Sequence, residues 1–266
     1  MLSYQHIYHA GNLADVHKHA LLAWMLSYLT RKDKPLSYIE THAGRGLYDL
    51  SGAEATRTGE AAQGIEKVAG WFDPDHPLSR ALQTVRARHG PRCYPGSPLI
   101  AHALLRPCDS LHLAELHPRE YAALLASLPP RAARCAQQDG FALAHALTPP
   151  TPRRGLMLID PSYEIKSDYM DIPRHIARLT RAWNVGIICL WYPILTTELH
   201  AKMLTQLQKT HPDAMRHEVR FHPARAGHTM VGSGLFVIRP PFGIAEEAAQ
   251  LTEKFKTLNR SGSSKP

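Results

Sequence analysis

The sequence predicts an α/β fold: a seven-stranded, mostly parallel sheet with helices on both faces, an antiparallel end and a small helical insertion after the first strand. Three observations carry that expectation. Short apolar runs alternate with helical patterns along the 266 residues, which is the signature of crossover units in a parallel sheet. Two of the runs, residues 155–160 and 185–190, are almost continuously apolar, as strands buried on both faces should be. One connection, about residues 48–92, is far longer than a crossover helix needs.

Taken in order, a helical pattern over residues 13–30 precedes the first strand, at 36–41. The long connection follows, with Trp71, Phe72 and helical patterns near 61–71 and 78–89, and reads as an inserted helical subdomain. A helix is expected at 98–106, a strand at 110–116, a helix at 118–128, a strand at 134–138 and a helix at 140–147. The buried-type strand at 155–160 leads to a helix at 172–183, and the second one, at 185–192, to a helix at 197–210. Strands at 215–222 and 234–239 have only a loop between them and form the terminal hairpin, before a last helix at 246–258. Residues 260–266, Arg-Ser-Gly-Ser-Ser-Lys-Pro, are expected to be disordered. No internal repeat is visible.

Composition excludes several classes. Hydrophobic residues make up 44% and charged residues 20%, an ordinary globular balance for a chain long enough to fold without disulfide or metal staples. The longest apolar stretch, residues 185–195, is broken by Pro193 and is short of the ~20 residues of a membrane span. The start, Met1-Leu-Ser-Tyr4-Gln-His6, lacks the plan of a signal peptide. Cys93, Cys108, Cys135 and Cys189 form no C-x-x-C pair and read as buried thiols in a reducing compartment. A soluble cytoplasmic monomer is the expectation. Lys plus Arg number 31 against 23 Asp plus Glu, a net charge of +8, which points to a polyanionic partner only if a site supports it.

The chemistry gathers at one sheet edge. In open α/β sheets, ligands bind beyond the carboxyl ends of the strands. There the first strand carries Glu40 before Thr41-His42-Ala43-Gly44-Arg45-Gly46, and the second carries Glu115. The third is followed by Asp139-Gly140-Phe141, and the fourth ends in Asp160-Pro161-Ser162-Tyr163. Glu115 suits the two hydroxyls of a ribose, and Asp139 could accept an adenine amino group while Phe141 packs on the ring. Asp160 and the Pro161 carbonyl are neighbouring acceptors beside the Tyr163 ring, which suits an exocyclic amine on a flipped-out base. Singly, each has a bland reading: an Asx turn at Asp160, a plain turn at Gly44 and Gly46, a helix-terminal acid at Glu115. Four acids at one edge argue against coincidence.

These motifs resemble the class I adenosylmethionine-dependent methyltransferases, and Asp160-Pro161-Ser162-Tyr163 is similar to the Asp/Asn-Pro-Pro-Tyr box of adenine N6-methyltransferases. More narrowly, His9-Ala-Gly-Asn-x-Ala-Asp15-Val-x-Lys18-His19 resembles the RlmJ (YhiR) family, which methylates an adenine of 23S ribosomal RNA. So do Thr58-Gly59-Glu60, Tyr94-Pro-Gly-Ser97-Pro98, Leu190-Trp-Tyr-Pro193 and Gly232-Ser-Gly234. The resemblance implies a Rossmann-like methyltransferase domain of residues 1–47 and 93–259, with an N-terminal helical motif at 1–31 and the insertion at 48–92. It also implies S-adenosylmethionine bound by Lys18, His19, His42, Ser97, Glu115, Asp139, Gly140 and Asp160. Asp160, Pro161 and Tyr163 would be catalytic, Tyr4 and Tyr163 would touch the RNA, and S-adenosylhomocysteine would be the product. Two departures stand out: Glu40 where the family usually has Asp, and Ser162 in place of a second proline.

On this reading adenine N6 attacks the methyl carbon in an in-line displacement, with Asp160 and the Pro161 carbonyl drawing the amine toward pyramidal geometry. Two other classes compete. The cluster His6, His9, Asp15, His17 and His19 could serve a metal-dependent nuclease or phosphoesterase, which suits the family's link to external DNA as a nutrient. Against it, residues i and i+2 of a helix point apart and no strong ligand spacing is present, so no metal is expected. A non-catalytic RNA-binding protein would use Arg31-Lys32-Asp33-Lys34, Arg153-Arg154 and the basic stretch 216–228, holding Arg220 and Arg225, to position phosphates. It would tolerate Asp160→Ala. No obligate protein partner is expected.

Overall fold

Apolar alternation within each strand divides the core into two layers. The computed structural model describes residues 5–223 and 227–262. Its main sheet contains β1 (Ser37–Glu40), β4 (Ser110–Ala114), β5 (Arg134–Ala136), β6 (Gly155–Ile159), β7 (Ile187–Leu195), β8 (Met215–Arg220) and β9 (Met230–Ile238), in the order β5-β4-β1-β6-β7-β9-β8. The first five of that order run parallel, and β9 inserts antiparallel between β7 and β8. Tyr38, Leu156 and Leu158 face α1 (Leu13–Thr30), α4 (Pro77–His89), α5 (Ser97–Leu104) and α10 (Ile244–Gly262). Their neighbours Ile39, Met157 and Ile159 face α7 (Gly140–Leu147), α8 (Asp168–Ala182) and α9 (His200–Thr210). Period-two side-chain alternation thus makes the expected helix-on-both-faces sandwich.

The expected strands and helices are present, with shifted ends. β7 runs on through Pro193 to Leu195; past Leu190 it is paired with β9 alone, where a missing N–H is tolerated. α8 begins at Asp168, four residues before the expected start, and takes Pro173 inside. α10 runs to Gly262, so residues 260–262 continue a helix where a disordered tail was expected; residues 263–266 lie outside the described residues.

Residues 48–92 differ more. The pair β2 (Leu47–Asp49) and β3 (Cys93–Pro95), antiparallel, closes the segment at its base. In place of the helix expected at 61–71 stand α3 (Glu60–Gln63) and a 3-10 turn at Ala69–Trp71, preceded by α2 (Ala53–Thr58). Gly64 ends α3 against the N-terminal segment: a Cβ there would lie 2.0 Å from the Gly11 carbonyl oxygen, so only glycine permits the approach. Leu78, Ala81 and Leu82 of α4 join the same apolar cluster as α1 and the sheet. The segment therefore packs onto the main core and has no separate one.

The cysteines are corrected. All four are free thiols, but only Cys189 is buried, and Cys108 is exposed in the turn before β4. No helix among the described residues is long and apolar enough to cross a membrane.

Candidate active site

A cavity of about 530 Å³ opens beyond the carboxyl ends of β1, β4, β5 and β6, bounded also by the start of α1 and the end of β7. Of the expected site residues, Lys18, His19, His42, Ser97, Glu115, Asp139, Gly140, Asp160, Pro161 and Tyr163 all line it. Tyr4 lies outside the described residues. Glu40 departs from the four-acid expectation: it is fully buried beneath the cavity rather than on its wall.

Each wall follows from local structure. Glu115 follows β4 and accepts backbone N–H bonds from Gly44 and His117, both 2.8 Å, which fix its carboxylate. Burial raises its pKa, against the pull of those amides. Asp139 caps α7, accepting from Ala142 N–H at 2.7 Å. Gly140 lets α7 press against the end of β1, where a Cβ would lie 1.9 Å from the Thr41 carbonyl oxygen. Phe141 then enters the cavity wall, with the His42 ring edge-on at 5.7 Å and the His175 ring stacked behind it at 4.1 Å. Burial lowers the pKa of His42 to about 4, so it is a neutral imidazole at physiological pH.

Asp160 closes the other half. Lys18 Nζ lies 2.5 Å from Asp160 Oδ2 and 3.1 Å from Asp15 Oδ1. Although burial opposes the charge, the two carboxylates hold Lys18 above the ordinary lysine range. Asp15 also accepts from the Gly11 N–H at 2.9 Å and pairs with His6 Nε2 at 2.8 Å. These cations hold its pKa well below the ordinary range despite its burial. Tyr163 sits at φ 57°, a left-handed conformation rare for a bulky residue. Its hydroxyl donates to the Trp191 carbonyl at 2.7 Å, and its ring lies 4.7 Å from Tyr169. The ring is 8% exposed, so it presents an edge of the cavity wall, anchored rather than mobile.

Glu40 is held by the Ser97 hydroxyl and by Tyr38 Oη–H at 2.9 Å. Burial raises its pKa to about 8, those two bonds oppose the rise and the Asp160 charge adds to it. Below the unfolded value of ~4.3 the group is protonated in both states and its contribution is complete. As pH rises through about 8 that contribution is lost. Glu40→Gln keeps the shape without the charge. Its melting temperature is expected to match the parent near pH ~5 and to exceed it near pH ~9, at ~2–4 °C per kcal/mol; a difference that does not change with pH would contradict this.

His17 and His19 point apart, as i and i+2 should: His17 Nδ1 reaches Ser233 Oγ at 2.8 Å, and His19 Nδ1 reaches Tyr94 Oη at 2.8 Å. Among the described residues, no group of three or more His, Cys, Asp or Glu side chains is arranged to hold a metal. Two of the basic runs lie away from the cavity. Residues 31–34 and 153–154 precede β1 and β6, at the opposite sheet edge. There Arg154 and, with it, Arg106 donate to the Lys34 carbonyl, both 3.0 Å, and so tie loops together.

Sequence reasoning missed Leu116 and Trp191 as wall residues. Leu116 is half exposed, and the Lys18 ammonium stands 5.5 Å over the Trp191 ring. Trp191 lies midway along β7, one residue past Leu190, the last residue paired with β6, and so level with Asp160; the edge rule that located the acids could have found it.

A 3-2-1-4-5-7-6 type of order, counted without the small pair, with three acids on a cleft at the carboxyl edge, defines a class I methyltransferase-like architecture. A family profile described as "Ribosomal RNA large subunit methyltransferase D, RlmJ" matches residues 33–263. The chain is 41% identical over 254 residues to "Ribosomal RNA large subunit methyltransferase J" of Escherichia coli (strain K12), covering 93% of this chain and 90% of that one. It is 35% identical over 259 residues to the protein of the same name from Haemophilus influenzae, covering 94% and 92%. A crystal structure of a Legionella pneumophila protein superposes with a TM-score of 0.86 at 36% identity, covering 96% of each chain. The chain belongs to the RlmJ family of ribosomal RNA large subunit methyltransferases.

Proposed function

We propose that this protein transfers a methyl group from S-adenosylmethionine to N6 of an adenine in 23S ribosomal RNA, acting in the cytoplasm as a monomer. The observation that carries the reading is the pairing of Asp160 and the Pro161 carbonyl, at one end of a cavity whose other end is lined by Glu115, Asp139 and Phe141. The donor set fits the cofactor. His19 Nε2 is a buried nitrogen of a cavity-lining residue with no hydrogen-bond partner among the described residues, Asp15 Oδ1 being 3.9 Å away, a cost that a bound polar group relieves. The outward lone pairs of Glu115 suit ribose hydroxyls, and Asp139 and Gly140 with Phe141 suit an adenine. Lys18, His42 and Ser97 complete the wall.

When bound, S-adenosylmethionine supplies a methyl group on a sulfonium, already activated for displacement. The chain's residues position the amine and stabilise the charge that develops on it. Lys18 occupies Asp160 Oδ2, so Oδ1 is the oxygen offered to one N6 hydrogen, and the Pro161 carbonyl takes the other. Both acceptors strengthen as N6 becomes cationic, which is where stabilisation raises rate. Tyr163 forms the wall against which the flipped base rests; for Tyr4, outside the described residues, a contact to the RNA rests on the family resemblance alone. Tyr163→Ala is expected to raise KM for the RNA by the ~1–3 kcal/mol of a lost stacking contact. Tyr163→Phe, which keeps the ring and loses only the bond to Trp191, should retain most of that affinity; equal losses would remove the ring from this role.

Thermal melts with cofactor test the reading. Either S-adenosylmethionine or S-adenosylhomocysteine at ~100-fold over its Kd should add ~2.7 kcal/mol, or ~5–10 °C, unaffected by a chelator. Stabilisation by a divalent metal alone would overturn it in favour of a metal-dependent hydrolase.

A further inference from the structure

A chain of hydrogen bonds leaves the cavity through Trp191 and ends on the outer helix α10. Trp191 Nε1–H donates to Ser233 Oγ at 2.9 Å, and Ser233 Oγ lies 2.8 Å from His17 Nδ1. His17 Nε2 lies 2.9 Å from His217 Nδ1, and His217 Nε2 lies 2.8 Å from Thr252 Oγ1. Ser233 and His17 are fully buried.

The two ends set the direction of every bond. An indole N–H only donates. The Thr252 hydroxyl gives its single proton to the Ala248 carbonyl at 3.0 Å, so it accepts from His217 Nε2–H. His217 Nδ1 is then bare and accepts from His17 Nε2–H. His17 Nδ1 is bare in turn and accepts the Ser233 hydroxyl proton, and Ser233 Oγ accepts from Trp191. Both imidazoles must be neutral. A proton added to either sets N–H against a neighbouring N–H or leaves the serine proton without an acceptor, and the chain breaks. Burial, with the neighbouring His217 imidazole, keeps His17 well below the ordinary histidine range; burial also lowers His217, against the Ala248 carbonyl and the Glu218 charge, which raise it. The groups that face the pair are Ser233 on β9, and Thr252, the Ala248 carbonyl and the Phe255 ring on α10; Glu218, next to His217 on β8, bonds Tyr192 and Arg216 and reaches His217 only through its charge.

Trp191 touches both catalytic-side elements of the cavity. Its carbonyl holds the Tyr163 hydroxyl, and its ring lies under the Lys18 ammonium that pairs with Asp160. We propose that Ser233, His17 and His217 are positioning residues for the reaction: they lock the Trp191 wall while both imidazoles are neutral, and protonation at His217 releases it from outside the cavity. This rests on the methyl-transfer reading of the site.

The test compares His217→Leu, which breaks the chain, with His217→Gln, whose amide can accept from His17, donate to Thr252 and take no proton. The readouts are the Trp191 indole N–H resonance, assigned with Trp191→Phe, S-adenosylhomocysteine affinity, and kcat and KM on an rRNA fragment over about pH 5–8. We expect His217→Leu to shift the resonance and lower kcat about tenfold, as small misplacements in active sites do, with cofactor affinity within about twofold. His217→Gln should keep the parent kcat near neutrality and hold it about one pH unit further into acid. One shared pH profile for all three proteins, or an unmoved resonance in His217→Leu, overturns the proposal. Should His217→Leu fail to fold, Ser233→Ala removes the same link and is read the same way. If the parent itself transfers no methyl group, the methyl-transfer reading falls. The resonance then decides the chain: shifted by Leu and not by Gln it stands, otherwise it fails.

Discussion

Asp160→Asn is expected to lower kcat for methyl transfer by a factor on the order of 10²–10³, the loss seen when one preorganised charge-stabilising group is removed, while S-adenosylhomocysteine binds within a few-fold of the parent. The asparagine keeps an oxygen for Lys18, which in the parent lies 2.5 Å from Asp160 Oδ2, so the wall retains its shape. What is lost is the negative charge beside a nitrogen that turns cationic only in the transition state, together with the Oδ1 acceptor, since the amide NH2 then stands where Oδ1 was. Such a loss falls on kcat and leaves KM for the RNA nearly unchanged. The same substitution separates an enzyme from an RNA-binding module, since RNA binding survives in both but only the enzyme has a turnover to lose. A variant within a few-fold of the parent in kcat would remove Asp160 from the chemistry and leave the Pro161 carbonyl to act alone.

How far the sequence foretold this site depends on whether a feature is local. Residues 155–159 are apolar at every position and are buried at every position, because a central strand must satisfy both faces within five residues. The acids Glu115, Asp139 and Asp160 were legible for the same reason: a strand end fixes where the next side chain goes. Glu40 follows the same rule along the chain yet lies beneath the cavity, because Ser97 and Tyr38 capture it. Ser97 is 57 residues away in sequence, and that contact has no local signature. The helix expected at 61–71 failed where Gly64 meets the Gly11 carbonyl, a tertiary demand overriding local propensity. The runs 31–34 and 153–154 were legible as charge but not as location. Only the strand direction shows that they flank the edge opposite the cavity.

Removing the cation between the buried Asp15 and the partly exposed Asp160 should have the largest effect on stability. Lys18 is 5% exposed and stands between Asp15, 2% exposed, and Asp160. Lys18→Met fills a similar volume and leaves both acids without their shared partner. Breaking a buried pair in this way costs about 3–5 kcal/mol, or ~6–20 °C in Tm at this size. The pH dependence identifies the cause. In the parent, Asp15 is held well below the ordinary carboxylate range. Its contribution is therefore full above the unfolded value of ~3.9 and is lost as pH falls through the depressed folded value. In Lys18→Met, desolvation of Asp15 has less opposing it, its folded value moves upward, and the sign reverses: stability is greatest in acid and declines as pH rises through that value. The Tm gap between parent and variant should widen from about pH 4 to about pH 7. A gap of constant size would assign the loss to packing of the lysine stem and not to the ion pairs. The same variant also frees Asp160 Oδ2. If Lys18 serves to keep one oxygen occupied and the carboxylate oriented, kcat falls further than the stability change accounts for at temperatures where the variant remains folded.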